Sequence, residues 1–225
     1  MPALSAALHQ AFAQAANPEL AGPMAAYMKD LFPFFGIPAP ERRSIQRPFY
    51  QQYLGLARKE RDQVLEGLWK LPERECQYAA CDWMRKEAKT LPKGFADRVE
   101  DWVCRKSWWD TVDGLAVHVL GSYLLRFPDE SEARLQHWMR GGNLWLQRCA
   151  ILHQLTYGRA TNTDRLYGTV LVFSDSKAFF LQKAMGWALR EYAKTDPVGV
   201  RNWLEGNKVP ALTRREALKH VVKKD

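Results

Sequence analysis

Cysteine is scarce in this sequence: four in 225 residues, at Cys76, Cys81, Cys104 and Cys149, with no C-x-x-C pair. That argues against a disulfide scaffold and a thioredoxin-like redox motif, and predicts reduced thiols in the core. The histidines (His9, His118, His137, His153 and His220) form no H-E-x-x-H motif and join no cysteine at zinc-ligand spacing. No metal and no cofactor are therefore expected. No apolar run reaches the roughly 18 residues that span a bilayer, and the start MPALSAALHQAFAQ lacks a basic n-region. A soluble, cytoplasmic protein away from membranes is the expectation. Strand-like alternation is rare, and no low-complexity linker interrupts the chain, so residues 1–225 are expected to form one domain.

Tryptophan and positive charge are plentiful instead. There are nine tryptophans, and the formal net charge is +8. A surplus of that size favours a polyanionic partner, because each neutralised phosphate releases condensed counterions.

Nearly every segment reads as helix, punctuated by Pro, Gly or Asx at helix-length intervals. Starts are marked by Pro40 before ERRSIQ, by Pro72 before EREC, and by Asp196-Pro197, with proline at the first helical position. Thr213-Arg214-Arg215-Glu216 reads as a capping box, and Ser107-Trp108-Trp109-Asp110 resembles one. That places Asp110 at a helix start, in a structural role.

An internal period adds more. When ECQYAAC from Glu75, LQRCAIL from Leu146 and LQKAMGW from Leu181 are aligned, Gln77, Gln147 and Gln182 share one slot, 70 and 35 residues apart. A period near 35 built from helices indicates an all-α chain, an α-solenoid of HEAT-like repeats. The next slot holds Tyr78, Asp113, Arg148 and Lys183. Trp109 lies one turn before Asp113, and Trp187 one turn after Lys183, so each pair shares a helix face. Stacked repeats would therefore bring an acid, an arginine, a lysine and two tryptophans to one surface.

The helix expected over 176–194 separates into two faces. Ala178, Leu181, Met185, Ala188 and Tyr192 lie on one side, and Lys183, Trp187, Arg190 and Lys194 on the other. Cations beside an indole suit a phosphate-and-sugar surface, although a tryptophan covered by a neighbouring repeat is the plainer account. The helix expected over 107–125 is apolar nearly all round beyond Asp113. A carboxylate there must be paired, hydrogen-bonded or open to a cleft, and Arg148 is the obvious structural partner. Arg148 itself, on an apolar helix, either pairs internally or grips phosphate. Arg42, Arg43, Arg47, Arg214, Arg215 and Lys219 are further cations that could extend a phosphate-binding stripe.

Several motifs in order, KSWWDTVD (106–113), NLWLQRCAIL (143–152), SKAFFLQKAMGWALREYAKT (176–195) and LTRREALKH (212–220), resemble the AlkD family of DNA alkylation repair enzymes. MAAYMKDLFPFFGIPAPERR and LWKLPEREC extend the resemblance over nearly the whole chain. It implies a curved HEAT-like solenoid that holds duplex DNA; a monomer without an obligatory protein partner is the default expectation. The implied activity is that of a bacterial glycosylase removing N3- and N7-alkylated purines while the lesion stays stacked. The resemblance also implies that Asp113 is the catalytic aspartate, flanked by Trp109 and Trp187. Arg148, Arg190 and Tyr27 are implied as DNA contacts, with Lys183 and Arg43 beside them from the residue reading. Pro38, Thr156 and Gly158 depart from the polar or basic residues the resemblance would place near DNA.

The chemistry fits those residue types. An N-alkylated purine is already cationic and leaves readily, so one fixed carboxylate can stabilise the developing oxocarbenium ion and orient a water. The alternatives are a non-catalytic solenoid that binds DNA structures and a protein–protein scaffold.

Overall fold

The structure, a computed structural model, describes residues 1–219; His220, which closes the LTRREALKH motif, lies outside them. The described residues form helices joined by turns and short loops, without a strand. Contacts divide the chain into two compact units, Met1–Lys86 and the residues from Glu87 onward.

The first unit contains α1 (Ala3–Gln14), α2 (Pro18–Tyr27), α3 (Ala39–Leu54), α4 (Arg58–Lys70) and nearly all of α5 (Arg74–Glu87). Its core is aromatic: Trp83 is fully buried and lies 4.8 Å from the ring of Tyr53. Glu75, also fully buried, accepts hydrogen bonds from the backbone N–H groups of Phe35 (3.1 Å), Gly36 (2.9 Å) and Ile37 (3.1 Å). Those three bonds fix the loop into α3 and compensate the buried carboxylate. Gly36 makes the turn possible with φ +86°, where a Cβ would strike the backbone of Asn17 and Ala21.

The second unit contains α6 (Ala96–Cys104), α7 (Trp109–Gly114), a π-helical stretch (Leu115–Leu120), α8 (Gly121–Arg126), α9 (Pro128–Arg140) and α10 (Leu144–Leu152). It continues through α11 (Thr163–Val172), α12 (Phe179–Tyr192), α13 (Pro197–Gly206) and α14 (Ala211–Ala217). α7 packs on α10, α10 on α12, and α12 on α14, so these four form a stack. α9 and α11 each pack on α10, and α11 and α13 on α12. This succession is consistent with an α-solenoid.

The glutamine slot has a structural meaning. Gln77 Nε2 donates to the carbonyls of Leu68, Trp69 and Leu71 at the end of α4. Gln147 Nε2 donates to Met139 O at the end of α9, and Gln182 Nε2 to Ser176 O just before α12. In each case a side-chain amide satisfies carbonyls of the preceding segment that a helical ladder leaves open.

Three local expectations need correction. Thr213 does not cap a helix: α14 begins after Pro210, and Thr213 Oγ1 donates to Gln182 O on α12 at 3.0 Å. Ser107 does not cap α7 either, since its Oγ donates back to Val103 O at 2.6 Å and extended Trp108 takes the N-cap position. Cys104 is exposed rather than a core thiol, because α6 turns Val99, Trp102 and Val103 inward instead. The N-cap at Asp196 is as expected, accepting from Gly199 N at 2.8 Å with Pro197 behind it.

Candidate active site

The site is centred on α7. The helical stretch from Trp109 to Arg126 buries Val112, Leu115, Ala116, Val117, Val119 and Leu120, which seats the element firmly in the second unit. It changes from α- to π-geometry after Gly114, immediately beyond Asp113. Such wide turns recur at functional sites.

Asp113 meets Arg148 side-on. Arg148 Nε donates to Oδ1 at 2.6 Å and Nη2 to Oδ2 at 2.7 Å. Arg148 Nη1 donates to Phe180 O at 2.5 Å. One guanidinium therefore links α7, α10 and α12 in the planar geometry that suits arginine. The arginine side chain is 6% exposed and the aspartate 16%, so the carboxylate is the more open of the two. Burial pushes the Asp113 carboxyl above its ordinary value, against the hydrogen bond and charge of Arg148, and Asp110 adds a smaller upward push.

An aromatic cluster lies beside Arg148. Trp108, Trp145 and Phe180 form a triangle with centroids 5.0 to 5.6 Å apart, and the Arg148 guanidinium stands 5.9 Å from the Phe180 ring. Four of the nine tryptophans (Trp69, Trp83, Trp102 and Trp138) are fully buried, whereas Trp108, Trp109, Trp145, Trp187 and Trp203 are only half-buried. The sequence pattern does not single out Trp108, Trp145 or Phe180. The spacing of Trp145 three residues before Arg148 is the signal that could have found one of them.

The two tryptophans singled out from sequence lie on helices that Arg148 connects. Trp109 opens α7 one turn before Asp113, and Trp187 is on α12, two turns after Phe180. The basic face of α12 holds Lys183, Trp187 and Arg190, all half-buried, while Lys194 lies in the turn beyond the helix and is exposed. Lys183 and Arg190 also share a partner that the sequence motif marks only as part of a helix cap, Glu216 of α14. The Glu216 carboxyl is lowered to about 2, chiefly by its hydrogen bond from Lys219, with Lys183 and Arg190 adding to the effect.

The slot residues thus settle into pairs, Asp113 with Arg148 and Lys183 with Glu216. Arg148 is not a free cation, because its guanidinium is committed to Asp113 and Phe180 O. Arg214 is committed as well, donating to Leu204 O and Asn207 O. In the first unit, Tyr27 ends α2 and is 69% exposed. The Arg43 side chain is 61% exposed with Nε 3.9 Å from Asp82, while Arg42 is buried against the same carboxylate at 3.1 Å. The Arg42 guanidinium also lies over the Tyr78 ring at 4.8 Å.

Among the described residues no cluster of three or more His, Cys, Asp or Glu could hold a metal ion. No helix among them is long and apolar enough to cross a membrane.

Helices that stack in succession through the described residues, with a carboxylate held between two of them by an arginine, fall in the class of α-solenoid proteins. The solved structure of a predicted DNA alkylation repair enzyme from Enterococcus faecalis matches with a TM-score of 0.87 at 32% identity, over 93% of this chain and 98% of that one. The family model described as DNA alkylation repair enzyme matches residues 8–221. The chain belongs to the DNA alkylation repair enzyme family. No curated protein matches it.

Proposed function

We propose that this protein is a monofunctional glycosylase that hydrolyses the N-glycosidic bond of cationic N3- and N7-alkylated purines in duplex DNA, initiating base excision repair. The observation that carries the reading is Asp113, an anion fixed by two hydrogen bonds from Arg148 yet still 16% exposed. Each carboxylate oxygen bound by Arg148 retains a second acceptor site.

In the reaction the bond from C1′ to the purine nitrogen breaks and its electron pair leaves with the base, discharging the base's positive charge. The sugar becomes an oxocarbenium ion beside the Asp113 carboxylate. Water adds to C1′, and Asp113 accepts its proton. Indole faces at Trp109 and Trp187 would contribute roughly 0.5–2 kcal/mol each as the sugar gains cationic character. A cationic leaving group removes the need for the second carboxylate that glycoside hydrolysis ordinarily uses. The protein acts as a monomer in a bacterial cytoplasm. Tyr27 and Arg43 of the first unit, and Lys183 and Arg190 of the second, would meet the phosphodiester backbone. Arg148 contributes by orienting Asp113. The base is not enclosed, so small and bulky cationic adducts should both be released, and a strict size cutoff would count against this.

The ion pair also favours a second reading, in which Asp113 only braces α7 against α10 and the protein binds DNA without cleaving it. Single-turnover release of free base from duplex containing N7-methylguanine separates the two. Asp113→Asn should slow release by about 10²–10³-fold, the scale of removing one transition-state electrostatic interaction. Duplex affinity should stay within about twofold, since the phosphate-binding side chains are untouched. Normal excision by that variant would sink the catalytic reading.

A further inference from the structure

Glu216 gathers more positive charge than a buried carboxylate needs. It is 5% exposed and accepts from Lys183 Nζ (2.9 Å) and Lys219 Nζ (2.8 Å) on Oε1 and from Arg190 Nη1 (3.1 Å) on Oε2. Arg190 Nη1 also donates to the Glu216 backbone carbonyl at 2.8 Å. Three cations against one anion leave a surplus of two positive charges (3 − 1 = 2). One cation would suffice to compensate the acid. The surplus faces outward, with the Lys219, Lys183 and Arg190 side chains 47%, 36% and 22% exposed.

The backbone is arranged to permit this gathering. Gly186 lies under Glu216: a Cβ there would overlap the Glu216 Cβ and come within 2.8 Å of Thr213 O. Thr213 Oγ1 fastens α14 to Gln182 O of α12 at 3.0 Å. Trp187 follows Lys183 by four residues and precedes Arg190 by three, so the cations bracket that indole on one helix face.

We propose that Glu216 is a positioning residue that holds Lys183, Arg190 and Lys219 as one preformed clamp for a DNA phosphodiester, an inference that rests on the duplex-binding reading above. Free lysines give up rotamer freedom when they engage a phosphate, and side chains ordered beforehand have less to lose. The carboxyl, lowered to about 2, stays ionised at any working pH and keeps the clamp assembled.

If Glu216 merely neutralised nearby charge, Glu216→Gln would add one positive charge and tighten DNA binding. As a positioning residue, its removal should weaken affinity for undamaged duplex by about tenfold, or ~1.4 kcal/mol. The slope of log affinity against log salt should become shallower by about 0.9 for each phosphate no longer neutralised. In the Glu216→Gln background, Lys183→Met should cost less than it does in the native protein. Equal or tighter binding by a folded Glu216→Gln overturns the proposal. Should that variant not fold, Lys183→Met and Lys219→Met decide: each should weaken binding with a shallower slope, and unchanged affinity in both overturns it. Failure of the native protein to bind duplex at all would instead overturn the DNA-binding reading.

Discussion

Arg148 holds both oxygens of Asp113 with two different nitrogens, at 2.6 and 2.7 Å, and directs its remaining terminal nitrogen to Phe180 O. A residue expected to grip DNA also fixes the Asp113 carboxylate. That fixture also explains how an aspartate is tolerated on an apolar helix, because charge-assisted hydrogen bonds replace the hydration that burial removes.

Arginine's fork should matter as much as its charge. Arg148→Lys keeps a cation but cannot bridge both carboxylate oxygens and Phe180 O together. Excision of N7-methylguanine should fall by about tenfold or more, as expected when a reacting group is misplaced by a fraction of an ångström. Wild-type rates in single-turnover assays of this variant would show that the two-point grip is dispensable.

The pH profile should carry the raised Asp113 carboxyl. On the proposed glycosylase reading excision needs the anion, so the acidic limb of kcat/KM should lie above the ordinary aspartate value of 3.8. Asp110 adds an upward push, so Asp110→Asn should move that limb to lower pH. A limb that moves upward, or stays fixed, would mean another group controls it.

Glu216 should make the fold acid-sensitive. Its carboxyl ordinarily titrates at 4.5 and is lowered to about 2, so its stabilisation is complete above 4.5 and is lost as pH falls toward 2. Asp113, with its raised carboxyl, works the other way, favouring the fold as it takes up its proton. Thermal melts from pH 6 to pH 2 should therefore show a smaller drop in Tm for Glu216→Gln than for the native chain. Parallel curves would refute the assignment.

The shared glutamine slot predicts unequal costs. Gln77 is fully buried and serves three carbonyls, whereas Gln147 and Gln182 serve one each. Gln77→Ala strands buried acceptors and should cost about 1–3 kcal/mol, while Gln147→Ala should cost about 1 kcal/mol. Denaturant titration measures both, and the reverse order would contradict the slot's role.

Much of this is legible in the residues. Helix-length apolar segments, prolines at helix starts and the spacing of Gln77, Gln147 and Gln182 all reflect local chemistry, which repeats wherever the same backbone recurs. The basic face of α12 follows from 100° per residue, and Lys183, Trp187 and Arg190 do share it. The caps at Thr213 and Ser107 are harder to read. A hydroxyl near a helix start has several acceptors in reach, and neighbouring segments supply the ones used.

The sequence by itself determined an all-helical chain, its period, and the candidates Asp113, Trp109 and Trp187, since these depend on local geometry and on resemblance along one chain. Only the tertiary structure decided that Arg148 would clasp Asp113 and that Lys183, Arg190 and Lys219 would converge on Glu216. Charge pairing between helices depends on which helix stacks on which and on how closely they approach, and between α12 and α14 the missing side chain at Gly186 permits that approach.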